Sequence, residues 1–532
     1  MTSASTSPTL DGLFRRSLLR QPEALALVDP ADKMRVTQTP QQRLTFAAAD
    51  REINALTAHF IDMGLPPGSV IALQLPNTVE FVLTVLAAHR AGLVAALLPQ
   101  LWRQHDLTTA LNRTGARAIV TSSKIDGVSH ADLAMNAAAE AFSIRYVGGF
   151  GNDLPEGMIP LDHVLAGPFI EPLPPTPDAR SAAIITFDTT ADGFRAVPRT
   201  HLKLISGGLA VFLESGIPQG ASTMSALVPT SFGHLASSLV TWLLSGGVLA
   251  LHHPFDSAVL ECEIIDGGCD VLVAPAPFAH RLAEDGLLDR APMLRHVVGL
   301  WRMPEQVESS PAWPASQADF TDVYLFGEAG LFGAIRGDDG SPAAILPGPH
   351  GAPRAAAGTA VAGETLLSPR GTLGLRGPMV PVLAYTAQPD ASNGLIPAKP
   401  LDYVDTGYQA RLDRATGALH ITAPPSGVTS VGGYRFLAQD LSEWAKRLGD
   451  NAMLTALPDR LGGYRLAGRA SDNGRAREAL TELGLNPLMV EAFRDRAAEE
   501  SAWQRALLHI ENASNLMAFS GFLIDPALTT SR

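Results

Sequence analysis

The sequence predicts an α/β protein: a large N-terminal domain of α/β subdomains ending in a β-rich region, followed by a small α/β C-terminal domain. Two observations carry this expectation. Stretches with helical spacing of apolar residues alternate with short β-branched runs over the first 400 residues, and 532 residues exceed what one hydrophobic core organises.

The alternation can be followed along the chain. Phe46–Met63 and Thr78–Ala91 have helical periodicity, and Ser69–Leu75 and Ala118–Thr121 are strand-like. Asp270–Ala274 predicts a further strand, with Pro277–Asp285 as the helix after it. From Gly371 to Ile421 the pattern shortens to strands and tight turns, with Asp413–Gly417 between two apolar runs. Thr422-Ala-Pro-Pro-Ser-Gly427 reads as a linker, because proline and glycine together stop regular structure. The expected division is therefore residues 1–421, a hinge over 422–430 and a small domain over 431–532. Helical spacing from Pro487 to about Asn512 predicts an extended C-terminal helix. Trp503, Leu507, Leu508, Met517, Phe519 and Phe522 in the tail suit packing or a partner contact.

Composition narrows the function classes. With 46% hydrophobic and 17% charged residues, the chain can bury a substantial core. A formal charge of −13 without a basic cluster argues against nucleic acid and toward a small-molecule or protein partner. Cys262 and Cys269 have no second ligand cluster beside them, so no metal site is expected. The apolar stretch Leu239–Leu251 is broken by Ser245-Gly246-Gly247 and is too short to span a bilayer. The N-terminus carries no basic segment followed by an apolar one. A soluble, cytoplasmic protein is expected.

Several collinear motifs then matter together. They are Leu44-Thr-Phe46 to Asn77, Glu80-Phe-Val-Leu83 with His89-Arg-Ala-Gly92, Gly371-Thr-Leu-Gly-Leu-Arg-Gly-Pro378, and Tyr403-Val-Asp-Thr-Gly407. Val431-Gly-Gly-Tyr-Arg435 and Leu457-Pro-Asp-Arg-Leu-Gly462 follow. In this order the set resembles the acyl-adenylate-forming superfamily, which includes acyl-CoA synthetases, peptide-synthetase adenylation domains and luciferases. The resemblance implies a large α/β domain with a mobile small domain, and activation of a carboxylate by ATP·Mg before transfer to a thiol such as CoA.

The resemblance also assigns positions, and many depart from the family pattern. The phosphate loop corresponds to Thr186–Ala196. Thr186, Thr189, Thr190 and Gly193 keep some of its character and Arg195 stands for the family lysine, but Thr189 and Asp192 replace glycines and Asp188 adds a carboxylate. The adenine and metal motif corresponds to Phe326-Gly-Glu-Ala-Gly330. Phe326 and Gly327 remain, while Ala329 and Gly330 stand in place of Thr and the metal-binding Glu. Glu328 is a candidate substitute if the segment is extended. The ribose-binding Asp corresponds to Tyr408, with Asp405 three residues earlier.

Phe232 and His234 correspond to a segment bordering the acyl pocket. Ser426 and Gly427 form the hinge, stiffened by Pro424 and Pro425. No lysine follows Lys446, so the lysine of the family's small domain has at most an arginine stand-in at Arg475, Arg477 or Arg494. The sequence thus predicts a ligase-like protein with lost or strongly reduced adenylation that keeps a pocket for an acyl or aryl carboxylate or a thioester. Two alternatives stand beside it. One is an active divergent acyl-CoA synthetase using ATP·Mg and CoA, with Arg195, Glu328 and Asp405 as substitutes. The other is a non-catalytic partner or regulatory protein on the ligase scaffold.

Overall fold

The computed structural model describes residues 8–167, 178–253, 256–350, 363–381, 383–385, 395–397, 403–459 and 463–494. Two large sheets organise the N-terminal part. The first runs, from edge to edge, Gly193–Thr200, Ala182–Thr190, Val94–Leu97, Val70–Gln74, Ala118–Ser122, Tyr146–Phe150 and Ile159–Pro160. Its strands are parallel except for the antiparallel pair at the first edge. The second has eight strands, in the order Leu331–Ile335, Asp319–Leu325, His296–Trp301, Val271–Pro275, Ser222–Ser225, Val248–Leu251, Leu25–Val28 and Arg43–Thr45. Its interior is parallel and both edges are antiparallel. A five-stranded antiparallel sheet, containing Thr372–Arg376, Val404–Leu412 and Leu419–Ala423, completes this part.

Elements expected from periodicity appear within one residue of their predicted ends, including the helices Phe46–Asp62 and Ala276–Glu284 and the strand Val271–Pro275. Thr45 caps the first helix by accepting from the Ala48 N–H, and Thr200 caps His201–Glu214 by accepting from Lys203. The expected C-terminal helix is much shorter. It stops at Glu491, where Ala492 takes up the backbone N–H of Gly468 and Phe493 is buried against that glycine; a Cβ at Gly468 would lie 2.7 Å from the Phe493 ring. The remainder of that expected helix and the tail residues from Trp503 onward lie outside the described residues.

The helix Val79–Arg90 lies within the main core and every residue on it is buried. Most of it is apolar, as an all-round buried helix requires. Its charged residues therefore need partners. Glu80 accepts from Lys33 at 2.5 Å, and Lys33 also donates to Asp29 at 2.6 Å. Arg90 is held by Asp11, Asp50 and Asn54 at 2.6 to 3.0 Å. Breaking one partner of such a buried group costs about 3 to 5 kcal/mol. These pairs fix the N-terminal segments against the helix.

Close packing also decides the region after His201. A Cβ at Gly208 would lie 2.2 Å from Val240 Cγ1, so this helix meets the π-helical turn Leu235–Val240 at a distance only glycine permits. Beyond the linker, Val431, Leu441, Leu454, Leu466, Leu480, Met489 and Phe493 form a hydrophobic core of their own. The small unit comprises the hairpins Val428–Val431/Tyr434–Leu437 and Met453–Asp459/Gly463–Arg469, with helices Ala438–Leu448 and Asn473–Glu482. No helix among the described residues is long and apolar enough to cross a membrane.

Glu52 lies beside this buried charge network, and burial, with Glu80 second, pushes its pKa up to about 7 from 4.5. Between these values the unfolded chain has released a proton that the folded chain keeps, so stability should fall as pH rises through this interval. Glu52→Gln should flatten that decline in thermal melts taken from pH 5 to pH 7. An unchanged slope would contradict the assignment.

Candidate functional site

The turn Phe326–Gly330 lies at the C-terminal ends of the parallel strands of the eight-stranded sheet, the edge where ligands bind in open α/β sheets, and part of the expected nucleotide set from the other two sheets faces it. A cavity of about 260 Å³ lies there, between this edge and the small unit.

Its first wall is the antiparallel pair Ala182–Thr190 and Gly193–Thr200. The expectation for Thr186–Ala196 was a strand leading into a phosphate-wrapping loop. Instead the pairing runs from Ala182↔Thr200 to Thr190↔Gly193, and Ala191-Asp192 closes it as a two-residue turn. Gly193 has a φ of +103°, which the turn demands and glycine supplies. The ladder ties alternate N–H groups of the two arms to each other and leaves no open loop at the tip. Phe187 and Phe194 stack with centroids 5.5 Å apart and an interplanar angle of 6°, and Trp102 closes on both at 5.2 and 5.7 Å. These three rings make an aromatic wall to the cavity.

The inner end is a chain of charges. Phe326–Gly330 forms a tight turn, with Ala329 N–H donating to Phe326 O and Gly327 at φ +56°, so Glu328 is not in the extended geometry that would place it beside Gly330. The Glu328 carboxylate accepts from Thr186 Oγ1 at 2.6 Å, Arg199 Nη1 at 3.1 Å and the Phe232 N–H at 3.2 Å. Arg199 also donates to the Glu328 carbonyl and lies 4.0 Å over the Phe232 ring. Burial opposes charge on both partners, raising Glu328 and lowering Arg199 from their ordinary ranges, and the donors Thr186, Arg199 and the Phe232 N–H offset it at the carboxylate.

Asp188 continues the chain. One oxygen accepts from the Glu328 N–H at 2.9 Å, and the other from Arg435 Nη1 of the small unit at 2.8 Å. A Cβ at Gly327 would fall 2.2 Å from Arg435 Nη1 and 2.6 Å from Asp188 Oδ2. The space beside that glycine is therefore filled by this ion pair. Tyr408 packs its buried ring edge-on to Phe326 at 5.5 Å, with the Arg435 guanidinium 5.8 Å from its centroid and its hydroxyl donating to Arg302 O at 3.5 Å. Burial raises the Tyr408 phenol well above its ordinary value.

The other expected residues are not gathered here. Arg195 pairs with Asp192 at the exposed hairpin tip. Asp405 is exposed and accepts from the Gly407 N–H at 2.9 Å. Thr190 donates to Gly193 O at 3.3 Å, while Thr189 lines the cavity. Phe232 and His234 are both buried in the core behind it. Burial, then Arg302, lowers His234 to about 3, so its ring is neutral. Ser426 and Gly427 follow the two prolines; Gly427 has φ +71°, and Pro425 packs on Gly407. Among the described arginines of the small unit only Arg435 lines the cavity; Arg475 is exposed, and Arg477 and Arg494 pair with Glu491.

Arg302 was not anticipated. It follows the strand His296–Trp301, lines the cavity, and donates only long bonds, to Gly433 O at 3.5 Å and Ser231 Oγ at 3.4 Å. The signal was present, since a charged residue just after a β-branched parallel strand lies on the ligand-binding edge. Leu101 N–H donating to the Tyr434 hydroxyl at 3.0 Å, and His105 N–H to Gly484 O at 3.3 Å, complete the seam between the two parts.

A family model described as AMP-binding enzyme matches residues 14–379. The amide bond synthetase McbA of Marinactinospora thermotolerans superposes with a TM-score of 0.66 at 17% identity, over 90% of this chain and 94% of that one. MbtA of Mycobacterium smegmatis gives 0.61 at 19%, over 89% and 88%. Long-chain fatty acid transport protein 1 of Rattus norvegicus is 31% identical over 174 residues, which are 32% of this chain and 25% of that protein. Oxalate–CoA ligase of Arabidopsis thaliana is 27% identical over 46% of this chain and 45% of its own length. The chain thus aligns with half or less of each of these curated relatives, whereas the structures share the fold over nearly its whole length.

Arg435→Ala should leave Asp188 a buried carboxylate short of its cation, a loss of about 3 to 5 kcal/mol for a buried pair. Limited proteolysis should then cut the link between the strands Leu419–Ala423 and Val428–Val431 several-fold faster than in the unaltered chain. That link is only residues 424–427, shorter than the expected hinge over 422–430 because its ends are paired into strands. Equal cleavage rates would show that the ion pair does not hold the small unit.

Proposed function

The chain belongs to the AMP-binding enzyme family, and we propose that it is a member whose adenylation activity is lost or strongly reduced, with a pocket for a carboxylic acid or acyl thioester retained. The observation that carries this reading is the hairpin paired to its tip, with Asp188 held between Arg435 and the Glu328 N–H. Catalysis on a triphosphate needs free N–H groups, a cation and a metal carboxylate aimed at the phosphates. In this chain the candidate groups are committed elsewhere. Glu328 is saturated by Thr186, Arg199 and Phe232, and Arg435 is spent on Asp188.

The residues that fit ATP·Mg worst are those around Gly327, where the ion pair occupies the adjoining space. An active divergent synthetase would need Arg195 and Asp405 at the cavity, and both are exposed away from it, bonded within their own turns. The family relationship supports a carboxylate or thioester ligand. The oxalate–CoA ligase among the relatives makes carboxylic acids the natural class to test.

Isothermal titration should give no ATP·Mg binding in the millimolar range, and a pyrophosphate-release screen over aliphatic and aromatic carboxylic acids should stay at background. ATP-dependent pyrophosphate release with any acid would overturn the reading.

A further inference from the structure

We propose that Arg302 is the anion anchor of the inter-domain cavity, and that the ligand it selects is an aromatic carboxylate whose ring lies along Trp102, Phe187 and Phe194. This rests on the proposed retention of a carboxylate pocket and adds the residue and the chemical class.

Three observations point to it. Arg302 is the cavity-lining guanidinium for which no carboxylate lies within salt-bridge distance among the described residues; Arg435 has Asp188, and Arg199, behind the cavity, has Glu328. Its bonds, 3.4 and 3.5 Å to a hydroxyl and a carbonyl, are at the edge of the useful range, whereas a guanidinium can hold a carboxylate with two short charge-assisted bonds. Burial lowers its pKa from the ordinary value even though Glu328 acts to raise it, so the guanidinium is incompletely compensated there and an arriving anion held by direct bonds would offset the burial.

The remainder of the cavity specifies what the anion is attached to. The stacked rings of Phe187 and Phe194, with Trp102 across them, offer a flat apolar wall suited to an offset or edge-on ring. The outer end is formed by His105 and Trp444, whose rings meet edge to face at 5.9 Å. A cavity of about 260 Å³ accommodates a single ring with a carboxylate. Because Gly433 of the small unit shares the Arg302 guanidinium with Ser231, a bound carboxylate would be read by both parts of the chain at once.

Benzoate and its neutral isostere benzamide separate charge from shape. The intrinsic fluorescence of the full chain, with Trp102 and Trp444 on the cavity wall, reports binding of each. The unaltered protein should bind benzoate at least roughly tenfold more tightly than benzamide, the difference expected for one charge-assisted pair. Arg302→Ala should erase that preference, and Arg302→Lys should keep part of it. The benzoate-to-benzamide ratio in the unaltered chain tests the charge requirement even if a variant fails to fold. Equal affinities, a preference that survives in Arg302→Ala, or no benzoate binding at about 10 mM would each overturn the proposal. None of these outcomes bears on pyrophosphate release, so the reading of lost adenylation stands or falls separately.

Discussion

The arrangement of the site depends on one relay of charge, from Arg199 through Glu328 to Asp188 and Arg435. It ties three pieces of chain that are distant in sequence: the hairpin, which carries both Asp188 and Arg199, the turn after the strand Asp319–Leu325 and the small C-terminal unit. Every member is at least mostly buried, so each charge is tolerable only while its neighbour is present. At about 3 Å and an effective dielectric near 20, each of the two ion pairs, Arg199–Glu328 and Asp188–Arg435, is worth several kcal/mol of attraction before desolvation is counted, and the Glu328 N–H bond to Asp188 joins them. The net contribution is smaller, but loss of any member strands the next one. That mutual dependence gives the cavity its shape.

The relay also changes how Asp188 should be understood. As an isolated carboxylate in a phosphate loop it would only repel a polyphosphate. In place, it is neutralised by Arg435 and serves as a docking point for the small unit, while the aromatic pair beside it turns the hairpin into a wall. The substitutions that remove phosphate-binding character are therefore the same ones that build the contact surface. Thr189 favours extended backbone where a glycine would leave it free, and Asp192-Gly193 suits a tight turn.

Much of the fold was legible in the sequence, because the parallel strands and their helices bury continuous or one-sided apolar faces whose period is plain. The helix Val79–Arg90 and the strand Val271–Pro275 are examples. The hairpin was not read as such, since comparison with a loop motif took precedence over the alternating pattern of Phe187, Thr189 and Phe194. The long-range partners were less legible still. Nothing local in Val431-Gly-Gly-Tyr-Arg435 says that Arg435 reaches Asp188, 247 residues earlier, or that Glu328 will be surrounded by donors from three other segments. Arg302 went unnoticed for a related reason: its meaning lies in the strand end it occupies and in the carboxylate it lacks, and only the packed structure supplies both.

The central claim is that the alternate amides facing across the hairpin are committed to its ladder and that its tip offers no open loop to a nucleotide. Hydrogen exchange of the Ala182–Thr200 amides, followed with and without ATP·Mg, addresses it directly. The account predicts slow exchange at the alternate, ladder-bonded amides of the two arms that nucleotide leaves unaltered. Open, rapidly exchanging amides near Thr189 to Gly193 that become protected when ATP·Mg is added would contradict it.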